Sequence, residues 1–142
     1  MLFRSQLLGL IANAADDNLL TFSSAGVAGA TQNIFSLDGN TAGTAGVAEM
    51  LLQSKTGEIV LLPALPSAWS SGSFHGLCAY GGYRIQATWK SGILVSSRIT
   101  STFPGNISVR YNTGVTSLQL RAGESVELTS RSFHEVPKVR TT

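Results

Sequence analysis

The spacing of apolar residues changes near Gly57, from a helical period to alternation with polar residues. Ahead of that point, Leu7, Leu8, Leu10 and Ile11 fall on one face of a first predicted helix. Polar residues interrupt the apolar stretch of MLFRSQLLGLIANAADD, which favours an amphipathic helix over a secretory signal peptide. The first part of the chain is therefore expected to be helical.

A second predicted helix follows a long connection of small residues, SSAGVAGATQN. Val47, Met50, Leu51 and Ser54 line one face of this helix, and Thr44 is the expected N-cap. Two or three isolated helices are marginal without tertiary packing. This segment is therefore expected to be the end of a larger helical domain.

Beyond Gly57 the sequence predicts seven short strands: EIVLLP, FHGLCAY, YRIQATW, ILVSSRI, NISVRY, SLQLR and ESVELT. In YRIQATW the alternation places Tyr83 and Trp89 on the inward face, and the turn KSG predicts a hairpin with the next strand. Short strands with regularly spaced turns predict a small antiparallel β-sandwich domain over 57–130. Residues 131–142 have no period and are expected to be a flexible tail.

The composition and net charge of the chain argue against several classes of partner. Charged residues make up 13% of the chain, hydrophobic residues 43%, and the net charge is +2, so a folded domain is expected. Lys and Arg are scattered and no apolar run reaches roughly 18 residues, so neither nucleic acid nor membrane is an expected partner. Cys78 is alone, which excludes an internal disulfide and a clustered-thiol metal site. Flanked by Leu77 and Ala79, it is expected to be a small buried hydrophobe, and no metal or cofactor is expected.

Asp38 stands among Gly, Ala, Thr and Asn, and two interpretations of it are open from the residues. Asp-Gly-Asn is a common turn sequence, which gives the carboxylate a purely structural role. Alternatively, Asp38 is a catalytic base: glycoside hydrolysis needs an acid and a base, and Gly39 and Ala42 leave room for substrate and water. Its expected place just before a helix start would favour the ionised carboxylate.

Three other residues have competing interpretations. Trp69 follows two prolines; it could stack on a sugar ring, but packing of this linker onto the β-domain is favoured. His75 is expected at the surface or satisfied by a hydrogen bond. Asn106-Ile107-Ser108 is an N-glycosylation sequon, which has meaning only if the protein is secreted.

The motifs LDGN (37–40), TAGVAEMLLQS (44–54) and GEIVLLPALPSAWSSGSFHGLCAYGGY (57–83) occur in an informative order and spacing. Together they resemble the C-terminal region of glycoside hydrolase family 95, the α-L-fucosidases. The resemblance implies a multidomain enzyme in which an (α/α)6 helical barrel holds the catalytic centre and a small β-domain follows. Residues 1–56 would then be the C-terminal helical part of that barrel.

The resemblance also implies a reaction: removal of terminal α-L-fucosyl residues from oligosaccharides, with inversion. In that family a glutamate is the general acid, and the water is positioned by asparagine side chains, which an aspartate in an IDGNFG-like motif polarises. Asp38 matches that aspartate and is the expected catalytic residue, with Asn40 the expected substrate-binding residue. Thr41 and Ala42 replace the family's Phe-Gly, which removes a sugar-stacking or packing surface. The acid is expected upstream, in the part of the barrel missing from this chain.

The chain alone is thus expected to be inactive, and its parent to be secreted or extracellular. One alternative is a non-catalytic carbohydrate-binding or accessory β-sandwich module with a helical leader, although such a module has no use for LDGNTAGTAGVAEMLLQS. Another is a truncated or decayed copy of the enzyme.

Overall fold

A computed structural model describes residues 2–15, 20–26 and 29–135, in two compact units, Met1–Glu49 and Met50–Thr142. Two α-helices are present in this part of the chain, α1 (Leu2–Ala14) and α2 (Leu37–Leu51). The structure therefore confirms a helical character for the first part of the chain.

In the first unit a short antiparallel ladder joins β1 (Phe22–Ser23) to β2 (Ile34–Phe35). On the predicted apolar face of α1, Leu8 and Ile11 are 49% and 42% exposed, whereas the side chains of Leu7 and Leu10 lie outside those described. No apolar side chain described in this unit is buried. Its described part therefore has no hydrophobic core of its own.

The predicted bounds of α2 are wrong at both ends. The helix begins at Leu37 rather than after Thr44, and the Ser36 hydroxyl accepts a hydrogen bond from the Gly39 N–H at 3.2 Å, as an N-cap does. Thr44 lies inside the helix and donates its hydroxyl to the Asn40 carbonyl at 3.0 Å. The helix ends at Leu51, because the next residues pair as a strand.

The second unit is a β-sandwich of two sheets. The four-stranded sheet has the order β10-β7-β6-β5 and the five-stranded sheet the order β11-β9-β8-β4-β3. The strands are β3 (Leu52–Lys55), β4 (Glu58–Leu61), β5 (Gly72–Ala79), β6 (Tyr83–Lys90), β7 (Ile93–Ser101), β8 (Gly105–Tyr111), β9 (Gly114–Leu120), β10 (Ser125–Leu128) and β11 (His134–Glu135).

All seven predicted strands are present, as β4 to β10. The sequence did not predict β3, which pairs with β4, or β11, which pairs with β9. The sandwich is not wholly antiparallel: β4 and β8 pair in parallel, with Glu58 opposite Ser108 and Leu61 opposite Tyr111. Of the predicted flexible tail, residues 136–142 lie outside the described residues.

The core lies between the two sheets, on the inward faces of their strands. Its fully buried members include Ile59 and Val109 from one sheet and Ile85 and Ile99 from the other. Tyr83 and Trp89 are also buried, as the alternation predicts. Burial of an aliphatic or aromatic side chain contributes about 1.5–3 kcal/mol, so this core is the main source of the unit's stability.

The turn between β6 and β7 has the predicted hairpin chemistry. Lys90 pairs with Ile93, which leaves a two-residue loop of Ser91 and Gly92 with φ of 53° and 73°. Positive φ at both positions is the requirement of a type I′ turn, whose twist matches that of the flanking strands.

A bulge at Gly76 overturns the prediction that Cys78 is buried. Gly76, with φ of 78°, has no partner in the β5–β6 register, which passes from His75 directly to Leu77. One extra residue reverses the face of every side chain after it. Cys78 is consequently exposed, opposite Arg84.

Glu58 links three strands through its carboxylate. Oε1 accepts hydrogen bonds from Arg110 Nη2 at 2.7 Å and Nε at 3.0 Å, and Oε2 lies 2.8 Å from Lys55 Nζ. The Glu58 side chain is 14% exposed. Hydrogen bonds from Lys55 and Arg110 hold the pKa of Glu58 below its ordinary value.

The segment that follows β4 closes the C-terminal end of α2. The Leu62 N–H donates to the Leu51 carbonyl at 2.8 Å, and the Ala64 N–H donates to the Met50 carbonyl at 3.2 Å. These carbonyls are among those that a helix end leaves without an intrahelical partner. Leu62 is buried with φ of 52°, which an L-residue rarely adopts.

Candidate functional site

Asp38 lies within the first turn of α2, rather than just before the helix, and its side chain is exposed. The free N–H groups of a first helical turn favour a carboxylate by about 0.3–1 kcal/mol. Asp38 therefore lies where the helix end attracts negative charge. Its exposure leaves the carboxylate open to a ligand.

Asn40 is half-buried and ties the start of α2 to the segment before β1. Its Oδ1 accepts from the Thr21 N–H at 3.2 Å, and its Nδ2 donates to the Ser36 carbonyl at 2.7 Å. Thr21 is buried and donates its hydroxyl to that same carbonyl at 2.9 Å. An asparagine amide has two N–H donors, so one remains beyond the bond to Ser36.

The structure does not bring Asp38 and Asn40 onto one face of the helix. Helical residues two positions apart point to different sides, and here Asp38 is exposed while Asn40 is half-buried against its partners. Thr41 and Ala42, which follow Asn40 in the helix, are both exposed.

Gly39 has a different role from the open approach that the sequence suggests. A Cβ at this position would overlap the Thr21 hydroxyl oxygen and lie 3.1 Å from that of Ser36. The absence of a side chain therefore lets Thr21 pack against the helix start. Sequence reasoning missed both Thr21 and Ser36, because a lone hydroxyl residue carries no periodic signal.

In the sandwich unit, the linker prediction for Trp69 and the surface prediction for His75 are both confirmed. Trp69 is half-buried, and its carbonyl accepts the indole N–H of buried Trp89 at 2.8 Å. The linker therefore packs onto the sandwich. His75 is exposed, with Nδ1 3.2 Å from Gln86 Oε1.

A cleft of about 610 Å³ lies beside this linker, in the size range of ligand sites. Its lining is uncharged and combines the prolines and leucines after β4 with hydroxyl and amide groups: Leu62, Pro63, Ala64, Leu65, Pro66, Ser67, Ser70, Ser91, Gly92, Tyr111 and Asn112. The Tyr111 hydroxyl accepts the Leu94 N–H at 2.9 Å, so it serves the fold.

Two features, a metal-binding cluster and a membrane-spanning helix, are absent from the described ranges. Within them, no three His, Cys, Asp or Glu side chains lie together in a group that could hold a metal ion. Neither α1 nor α2 is long and apolar enough to cross a bilayer.

Most of the sandwich unit lies within a stretch of sequence that matches a known domain. Residues 53–141, more than half of the chain, match glycoside hydrolase family 95, C-terminal domain. The chain belongs to this family.

A curated relative is similar over about half of the chain. It is Alpha-L-fucosidase 2 of Arabidopsis thaliana, 45% identical over 74 residues. The match covers 48% of this chain and 9% of the relative, so the chain spans less than a tenth of that protein's length.

Proposed function

We propose that this chain is the C-terminal part of a glycoside hydrolase that removes terminal α-L-fucosyl residues from oligosaccharides with inversion. Family membership over residues 53–141 carries the proposal. The similarity to a protein named as an α-L-fucosidase favours fucosyl groups as the substrate. Such a parent enzyme would be secreted or extracellular.

In this proposal Asp38 is a catalytic residue that polarises the asparagine side chains that position the attacking water. Its exposure at the first turn of α2 supports the role, since partner groups can reach the carboxylate there. Asn40 contributes to substrate binding through the amide N–H that its bond to Ser36 leaves over. Its bonds to Thr21 and Ser36 would hold that donor in place.

The helical segment, residues 1–56 as read from the sequence, is proposed to be the end of an (α/α)6 catalytic barrel. The exposed apolar side chains of Leu8, Ile11, Phe35 and Leu37 support this, because a barrel would cover them. The rest of that barrel would supply the general acid. In that assignment the accessory β-domain is the predicted 57–130 together with β3 and β11, which pair into its five-stranded sheet.

The test is Asp38→Asn in the complete parent enzyme, with Glu49→Gln, on the same helix and also exposed, as the matched control. An amide keeps the shape of the carboxylate but accepts no proton at neutral pH. Turnover is expected to fall by roughly 10²–10⁴, while stability changes by less than about 1 kcal/mol, the helix-dipole contribution. Preserved turnover per folded molecule in Asp38→Asn would remove Asp38 from the chemistry.

The chain by itself is expected to release no fucose at an enzymatic rate. Glycoside hydrolysis uses an acid and a base on opposite sides of the bond, and the loss of one catalytic group typically costs several orders of magnitude. Incubation of the purified 142-residue chain with a 2′-fucosylated oligosaccharide, followed by quantification of free fucose, measures this. Ordinary turnover by the chain would show that it holds both groups.

A further inference from the structure

Two depressions lie at the β8–β9 ladder of the five-stranded sheet. Their volumes are about 660 Å³ and 340 Å³, and both include Asn106 and Gln119 in their walls. These two residues are direct partners across the ladder, and both are exposed. We call this pair of depressions the amide groove; both volumes lie within the range of ligand sites.

The amide groove has a regular set of hydrogen-bonding side chains. Two positions along the ladder from the Asn106–Gln119 pair, Ser108 is opposite Ser117, and both line the smaller depression. Arg121 and Glu124 line the larger one. Amide and hydroxyl groups both donate and accept, while Arg donates and Glu accepts. The groove thus offers both donors and acceptors with no excess of charge.

An exposed aromatic ring precedes the larger depression in sequence. Phe103 is 63% exposed, and one edge of its ring lies against Gly82, where an added Cβ would be 2.7 Å away. The backbone that carries this ring is held by two hydrogen bonds. The Phe103 carbonyl accepts the hydroxyl of buried Ser101, and the neighbouring Thr102 N–H donates to the Gly82 carbonyl at 2.8 Å. The next residue, Pro104, lines the groove.

We propose that the amide groove, together with Phe103 beside its lining residue Pro104, is a binding site for a neutral oligosaccharide. A sugar chain presents hydroxyls that donate and accept, together with apolar C–H faces that pack on an aromatic ring. Two depressions that share Asn106 and Gln119 suit more than one sugar ring, and a lining with one cation, Arg121, and one anion, Glu124, carries no net charge that would favour a charged ligand. The choice of a saccharide rests on the proposed function of the parent enzyme.

A different use of the same residues is attachment of a glycan. Asn106 begins the sequon Asn106-Ile107-Ser108, and both polar members of the sequon line the smaller depression. A glycan on Asn106 would occupy the groove and compete with a bound saccharide. Binding and attachment are therefore mutually exclusive outcomes.

The experiment is a nuclear magnetic resonance titration of the full 142-residue chain with lactose and with 2′-fucosyllactose. The side-chain amide signals of Asn106 and Gln119 are the direct readout, because each would contact the sugar. Saturable shifts of both signals are expected with at least one of the two probes. Absence of saturable shifts with both probes, or shifts confined to residues outside the groove, would overturn the proposal.

Two variants and one control locate the site. Phe103→Ala and Gln119→Ala are each expected to weaken binding by at least about fivefold, as for a central contact. Phe35→Ala removes an equally large ring that is 60% exposed in the other unit, and is expected to leave binding unchanged. Equal weakening by Phe35→Ala would overturn the site. If Phe103→Ala unfolds, the Gln119→Ala result alone decides.

Two further outcomes are decisive. Full occupancy of Asn106 by a glycan in chain secreted from a eukaryotic host would overturn the proposal in favour of attachment. Because the titration detects binding without turnover, its failure does not touch the fucosidase assignment. Conversely, if the parent enzyme releases no fucose but the titration shows saturable binding, the fucosidase assignment is refuted and the amide groove still stands as a saccharide site.

Discussion

Replacement of Glu58 by glutamine tests the ion pairs that join three strands of the five-stranded sheet. Its carboxylate receives bonds from Lys55, on β3, and from Arg110, on β8, while Glu58 itself lies on β4. The parallel β4–β8 pair is the connection between the β3–β4 hairpin and the rest of its sheet. Glutamine keeps the shape but loses the charge, so the change isolates electrostatics.

The expected loss follows from the exposure of each partner. Lys55 is 75% exposed, so its ion pair contributes little. Arg110 makes two bonds, of 2.7 and 3.0 Å, to a carboxylate that is 14% exposed. Hydrogen bonds to charged groups contribute about 1.5–3 kcal/mol when buried, and partial solvent screening at Arg110 lowers this. A decrease of about 1–2 kcal/mol in the free energy of unfolding is expected for Glu58→Gln.

The pH dependence has a definite sign. The folded pKa of Glu58 lies below its ordinary value of 4.5, so ionised Glu58 contributes its full stabilisation above that value. The contribution disappears as the pH falls through the lowered folded pKa. The difference between the native chain and Glu58→Gln is therefore expected to be constant near neutrality and to shrink in acid.

Urea unfolding of the native chain, Glu58→Gln and Glu127→Gln, at neutral and acid pH, measures both quantities. Glu127 is the matched control, since its carboxylate lies 3.7 Å from Arg98 and both side chains are more than half exposed. Its replacement should change stability by at most about 0.5 kcal/mol. Equal losses in the two variants, or a Glu58 effect that grows in acid, would refute the reasoning.

Two further predictions concern glycine packing and thiol exposure. Gly39→Ala is expected to raise hydrogen-exchange rates at the start of α2, because its Cβ overlaps the Thr21 hydroxyl. Gly46→Ala is the control: a Cβ there would meet nothing within 4 Å, so the change should stabilise the helix by about 1 kcal/mol. Slower hydrogen exchange in both variants would contradict the overlap at Gly39. Cys78 should react stoichiometrically with a maleimide in the native chain, since it is exposed. Labelling that requires denaturant would mean that the thiol is buried.

The sandwich could be predicted from the sequence to the extent that burial sets a local period. Alternation identifies β4 to β10, because each of these strands has one face toward the core. The partner of a strand is not a local property, so no local sequence pattern predicts the parallel β4–β8 pairing. Leu52 follows directly on the apolar pattern of α2, so the helix was expected to reach Ser54, and this concealed β3.

Features that depend on the backbone geometry of a single residue could not be predicted from the sequence. The bulge at Gly76 reverses the face of Cys78 without altering the composition of β5. Ser36 caps α2 although Thr44 has an equally suitable side chain, because the cap is decided by where the chain turns into the helix. The motif around Asp38 could be identified by resemblance, whereas the contacts of Asn40 with Thr21 depend on packing.

The contact between the end of α2 and the segment after β4 has a practical consequence for dissecting this protein. The family match begins at residue 53, which suggests a cut at that point for an isolated domain. Such a cut would delete Met50, which is 1% exposed, and the carbonyls that accept the N–H groups of Leu62 and Ala64. Each buried donor left without an acceptor costs about 1–3 kcal/mol. An expressible sandwich should therefore keep the last turn of α2.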